Sequence, residues 1–422
     1  MNKTLLKKAA MQSVALMLGV IMLSYAIKQY SAVTISTSYA QDKNAHSIPE
    51  ADIGGNESGP EAEAGLSVMP EDMKVTEEAG LAFTGAMTDI RDDISDKLGE
   101  QFLIIRKPAG KSLQIQMEDI YILKQLKLTI SGFTDEIPDS TFIARVHGDE
   151  VFVGEPKYVE IENRVLNADG TYSSSIIRDY GNDPVNSIYI ENRYDRIGYN
   201  VHEIKLQLNH VYAHILYEDE NCYYIDLRKP EEVYNRILVI DAGHGGKDPG
   251  AISKDGKIYE KEINLKILHE LKELLDKDDV KVYYTRTKDE TLYLRPRVTL
   301  ANEVDCDFFI SIHCNSSNYT SPNGTVILYY DHENENIKTK DLAAILSEEI
   351  AGTVSLENGG ILQMKDDDIF ILANAKVPAV IIETGYISNT EDLQYLLSKT
   401  GQQAMAKGIY NGILRAYEEL MR

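Results

Sequence analysis

The sequence predicts an α/β domain, a mostly parallel sheet with helices on both faces, preceded by a β-rich module and an N-terminal transmembrane or signal helix. Three observations carry this. Residues 236–422 alternate short apolar runs with amphipathic helix-like stretches, the pattern of parallel sheets covered on both faces. Residues 81–235 hold short alternating or β-branched runs between turn signals, the pattern of a β-sandwich or similar all-β module. The first 40 residues place Lys3, Lys7 and Lys8 before an apolar stretch from Ala9 to Ile27, as export segments do.

That first stretch is long for a signal peptide and near the length that spans a bilayer. Ser38-Tyr39-Ala40 offers a small-x-small cleavage site. An uncleaved anchor and a cleaved signal both remain open, and either puts the bulk of the chain outside the cytoplasm. Residues 41–80 carry ten acidic and two basic residues with five glycines and three prolines, which reads as an acidic disordered linker. In residues 81–235 the strand signals are SLQIQMEDIYI, QLKLTISGF, STFIARVHG, VEIENRVL, NSIYIENRY, EIKLQLNHVYAHILYE and NCYYIDLRK.

From residue 236 the expected strands are Ile237–Ala242, Val280–Tyr284, Phe308–Ile312, Thr325–Tyr330, Ile369–Leu372 and Ala379–Ile382. Helices are expected from Glu260 along the Ile263, Ile267, Leu268 and Leu271 stripe, over Leu294–Val304 and Leu342–Ile350, and along Met405, Ile409, Ile413 and Ala416. No surplus helix is expected between His313 and Glu383. In 422 residues, 43% of them hydrophobic, two folded units fit better than one. A net charge of −24 argues against nucleic acid and against an anionic membrane surface. Membrane contact is expected only through the N-terminal helix. Cys222, Cys306 and Cys314 form no CxxC pair and no disulfide framework.

The chemistry concentrates at strand ends. His244 ends ILVIDAGH, His313 ends FFISIH and Glu383 ends VPAVIIE. Open parallel sheets line up the C-terminal ends of their strands along one edge, where ligands bind. Glu260 opens a helix that can reach that edge. Catalytic zinc takes three nitrogen or oxygen ligands and keeps one position open. His244, Glu260 and His313 are the candidate ligands, with Glu383 as the general base. Asp241 could orient His244 or bond locally. His202, His210 and His214 cluster in an alternating strand without a partner carboxylate and read as structural. Asp366-Asp367-Asp368 reads as a solvated loop.

VIDAGHGGKDPGA, YEKEINL, Thr285-Arg286, RVTLAN from Arg297 to Asn302, SIHCN and IIETGYISN occur in that order. Together they resemble the zinc-dependent N-acetylmuramoyl-L-alanine amidases of the amidase_3 type over residues 236–420. The resemblance implies one Zn2+ held by His244, Glu260 and His313, with Glu383 catalytic. It implies peptidoglycan as substrate, cut at the amide between the lactyl group of N-acetylmuramic acid and L-alanine. Asn264, Arg286, Arg297 and Asn315 fall within the motifs as supporting or substrate residues. Departures are Gly359-Gly360 where Arg-Gly is usual, Leu372-Ala373 where Leu-Arg is usual, Tyr386 for Phe, and Cys314 for a small residue. A zinc carboxypeptidase acting on wall peptides and a non-catalytic wall-binding protein remain alternatives. A protein activator is left open.

Overall fold

The computed structural model describes residues 90–421 apart from 108–113, 134–141, 167–171, 195–199, 332–338 and 366–368. The expected N-terminal helix, the acidic linker and the Asp366–Asp368 run lie outside the described residues. No helix among those described is long and apolar enough to cross a membrane.

The first half is β-rich. A short helix α1 (Asp92–Ser95) precedes β1 (Gln101–Arg106), β2 (Gln114–Ile120), β3 (Gln125–Phe133), β4 (Ile143–His147) and β5 (Glu150–Val153). Then come β6 (Val159–Leu166), β7 (Tyr172–Asp179), β8 (Val185–Tyr194), β9 (Asn200–Leu208), β10 (Ala213–Glu218) and β11 (Cys222–Arg228). One sheet runs β10-β11-β1-β4-β5 and a second runs β2-β3-β9-β8. Leu103 and Ile105 of the first meet Leu126, Leu128, Ile204 and Leu206 of the second in one buried core. Two antiparallel sheets sharing a dry core make a sandwich. β6 and β7 form a separate two-stranded hairpin. In this half three strands escape the sequence reading: β1, β5 and β7. β1 (QFLIIR) is apolar without alternation, because its two faces pack on different clusters, Leu103 inward and Phe102 outward.

A four-residue helix α2 (Pro230–Val233) leads into β12 (Ile237–Ala242). Next follow α3 (Glu260–Leu275), β13 (Lys281–Tyr284), α4 (Leu294–Glu303), β14 (Phe308–Asn315) and β15 (Thr325–Tyr329). α5 (Thr339–Ala351), β16 (Asn358–Gln363), α6 (Phe370–Asn374), β17 (Ala379–Tyr386), α7 (Thr390–Leu397) and α8 (Lys399–Leu420) complete the chain. The sheet order is β13-β12-β14-β17-β15-β16. All neighbours are parallel except β15 against β17. Leu238, Ile240, Phe308 and Ile310 point to the face covered by α3, α5 and α8. Val239, Phe309 and Ile381 point to the face covered by α4 and α6. Both faces are buried, so the strands read as continuous apolar runs.

One element is corrected. Ile369–Leu372 was expected as a strand, but Phe370–Asn374 is helical, with Ile371 and Leu372 buried against the sheet. A four-residue apolar run has no period that separates strand from buried helix. Between His313 and Glu383 the described helices are α5, which packs on α8 and the sheet, and α6, which packs on α4 and β17.

Candidate metal centre

The sheet register brings two of the four key residues together. His313 of β14 and Glu383 of β17 are paired across parallel strands. Both lie two residues after the paired Ser311 and Ile381 and share their face of the sheet. β12 ends one strand over, and Asp241 pairs there with Ser311. Beyond Ala242 the chain turns sharply. Gly243 is required, because a side chain there would collide with the His313 ring. His244 itself adopts a positive φ of 64°, a left-handed conformation that non-glycine residues rarely hold and that clusters at functional sites. Gly250, with φ +67°, closes the loop where a Cβ would sit 2.6 Å from both Glu260 Oε2 and the His244 ring.

The carboxylate of Glu260 is the hub. Its Oε1 lies 2.9 Å from His313 Nδ1 and 3.2 Å from His244 Nε2. The same oxygen accepts from the Cys314 backbone N–H at 3.0 Å and from Asn264 at 3.3 Å, while Oε2 accepts from Ala251 N–H at 2.8 Å. The two imidazole rings stand 4.9 Å apart, nearly perpendicular. Each of the three residues offers a ligand atom within 4.8 Å of the others.

Among these four residues, two buried atoms lack hydrogen-bond partners: Nε2 of His244 and Oε2 of Glu383. Nε2 lies close to the Glu260 carboxylate yet outside hydrogen-bonding geometry. A buried polar atom left unpartnered is costly and asks for an explanation. A cation between His244, Glu260 and His313 would satisfy Nε2, so the donor set fits a metal of the zinc class.

Electrostatics agree. Burial works against the Glu260 charge, but His244 and His313 outweigh it and hold its carboxyl well below the usual range. Burial also disfavours the His244 imidazolium, yet Glu260 and Asp248 outweigh it and raise it to about 10. Glu383 moves the other way. Burial, helped by the Glu260 charge, pushes it up to about 8. Two carboxylates with separated affinities for protons are what acid–base division of labour requires.

The remaining candidates support the loop from behind. Asp241 does not orient His244. Its carboxylate is held by Arg297, Thr285 and Ser311 at the base of the site. The residue that holds the His244 ring is Asp248, whose Oδ2 lies 3.0 Å from Nδ1. Sequence reading passes over Asp248, although it lies four residues after His244 inside VIDAGHGGKDPGA.

Arg286 and Arg297 are not free for substrate. Arg286 is buried and donates to the carbonyls of Ala242, Gly243, Lys261 and Lys288. Arg297 donates to those of Ala242, His244 and Leu292 besides Asp241. Asn264 joins Gly243 O to Glu260. Asn315 lies at the end of β14, where its carbonyl accepts from Ile387 N–H. Cys314 faces away from the site, buried, with its thiol against Asn264 and Thr384. His202, His210 and His214 lie in the sandwich, where His214 faces the Asp119 carboxylate at 3.4 Å, and among the described residues they gather no metal-binding group.

A family model described as N-acetylmuramoyl-L-alanine amidase matches residues 238–415. The uncharacterized protein YqiI of Bacillus subtilis (strain 168) is 32% identical over 190 residues, 45% of this chain and 88% of that protein. The germination-specific N-acetylmuramoyl-L-alanine amidase of the same organism is 30% identical over 198 residues, covering 44% of this chain and 81% of it. Among solved structures, the catalytic domain of CwlV, an N-acetylmuramoyl-L-alanine amidase from Bacillus (Paenibacillus) polymyxa var. colistinus, is 32% identical. It covers 43% of this chain and 98% of that one, with a TM-score of 0.40.

Proposed function

This chain belongs to the N-acetylmuramoyl-L-alanine amidase family, and from that premise we propose that it hydrolyses the amide joining the lactyl group of N-acetylmuramic acid to L-alanine in peptidoglycan. The observation that carries the chemistry is the convergence of His244, Glu260 and His313 beside Glu383, with one nitrogen and one carboxylate oxygen buried and unpartnered. Zinc bound by the three ligands would polarise the scissile carbonyl and lower the pKa of an attacking water to about 7.

The chain's own residues do the rest. Glu383 sits beside the ligands and takes the proton of the attacking water. It then delivers that proton to the departing L-alanine nitrogen, so no covalent enzyme intermediate is needed. A dication held by His244, Glu260 and His313 would favour the ionised form that this base needs. Asp248 accepts from Nδ1 of His244 and so presents Nε2 with its lone pair free. Arg297 and Asp241 hold the loop that carries His244.

The catalytic unit we assign is residues 236–422, and residues 1–40 and 41–80 act as export segment and spacer, placing it outside the cytoplasm. Mass spectrometry of peptidoglycan digested with zinc and with a chelator tests the reading. Intact stem peptides with free L-alanine termini, released only with metal, are expected. Amino acids trimmed from stem peptides would mean a zinc peptidase instead, and no product would mean either a binding protein or an enzyme that requires a modified wall or a protein activator.

A further inference from the structure

The β-rich half meets the catalytic sheet through the 3₁₀ turn Tyr121–Leu123 and the following Lys124. β13 is the outer strand of that sheet, so the last residue of its open side has no strand neighbour. The Tyr121 hydroxyl takes that place. It donates to Tyr284 O at 2.8 Å and accepts from Tyr284 N–H at 3.0 Å. Its ring stacks edge-on to Tyr283 at 5.0 Å. Three residues later, Lys124 reaches Glu303 at the end of α4, 2.8 Å away.

Both gripped elements lead to the metal loop. Tyr284 is followed by Thr285, which bonds Asp241, and by Arg286, which holds the carbonyls of Ala242 and Gly243. Asp289, a few residues on, accepts from Gly246 N–H. α4 carries Arg297, which holds His244 O. One turn therefore fixes the two segments whose arginines shape the loop around His244.

We propose that Tyr121, with Lys124, is a positioning residue for the amidase site: the β-rich half holds the His244 loop in its metal-binding form. The role is distinct from wall targeting or spacing. It rests on the metal reading above only for its second readout.

The test is Tyr121→Phe in the full chain, which keeps the ring against Tyr283 and removes the hydroxyl, with Lys124→Met as a second variant. Hydrogen exchange is followed by mass spectrometry on the metal-free protein, and zinc affinity by competition with a chromophoric chelator. Exchange at residues 284–286 and at loop residues 243–246 is expected to quicken about five- to tenfold, the range of one net hydrogen bond. Zinc affinity is expected to weaken by a similar factor, with exchange in β3 and β9 unchanged. Faster exchange confined to 284–286, or no change at either segment, overturns the proposal. A wild-type chain that binds no zinc would defeat the metal reading, and the loop exchange would still decide the role of Tyr121.

Discussion

Two buried charge clusters in this molecule differ in completeness. In the sandwich, Arg145 and Asp183 are almost fully buried and joined by two bonds of 3.1 and 2.6 Å. Arg145 also donates to Gly154 O, and Asp183 accepts from Val185 N–H. Every group has a partner, and the pair locks β4 to the start of β8. At the end of the catalytic sheet lie His244, Glu260, His313 and Glu383, yet His244 Nε2 and Glu383 Oε2 make no hydrogen bond. A closed network fixes a fold, whereas one left open by two atoms is built for something that is added.

If that contrast is right, the clusters should respond differently to mutation. Glu383→Ala is expected to lower activity on the order of 10²–10⁴-fold, the range of a lost proton-transfer group, while zinc content stays at the wild-type level. Loss of zinc together with activity would make Glu383 a ligand instead. Arg145→Ala should act on stability alone. Removing one partner of a buried pair costs about 3–5 kcal/mol, read as a lower urea midpoint with kcat retained in the folded fraction. A proportional loss of kcat would merge the two clusters into one system.

Asp248→Asn sharpens the comparison within the site. A carboxylate behind a ligating histidine contributes about 10–100-fold in metal affinity. The same loss is expected here by chelator competition, and Asp241→Asn should not reproduce it through His244.

The smallest effect is a pH slope. Zinc requires a neutral His244, which is raised to about 10 in the metal-free chain. Protons therefore compete with zinc across the neutral range, and affinity should rise with pH from 6 to 8, about tenfold per unit for one proton released. In the metal-free protein the sign reverses. The His244 contribution to stability is complete below about pH 6.5 and is lost as pH rises towards 10. Zinc affinity flat with pH would show that His244 is already neutral.

The site was legible because of where its residues stand in the pattern. His244, His313 and Glu383 each terminate an apolar run, and parallel strands carry such ends to one edge. Glu260 could be placed because it begins an amphipathic stripe that becomes α3. What stayed hidden depends on chain reversal or on distance. Asp248 reaches His244 only because the loop folds back on itself, with Gly245 and Asp248 bridged. Tyr121 meets Tyr284 from 163 positions away, which no local spacing announces. Arg286 and Arg297 were visible as motif members, but their burial against backbone carbonyls was not. In the β-rich half, strands with clean alternation such as β3 and β6 are the ones that sequence finds. β7, with three consecutive serines, lacks the apolar signal, and its pairing with β6 carries it.

The most direct measurement is the metal content of the purified chain, by mass spectrometry of the elements, for the wild type and for Glu260→Ala. One zinc per wild-type chain and almost none in the variant is the result expected of an open His244–Glu260–His313 cluster. Equal zinc in both, or none in a wild type that still releases L-alanine-terminated stem peptides, would contradict it.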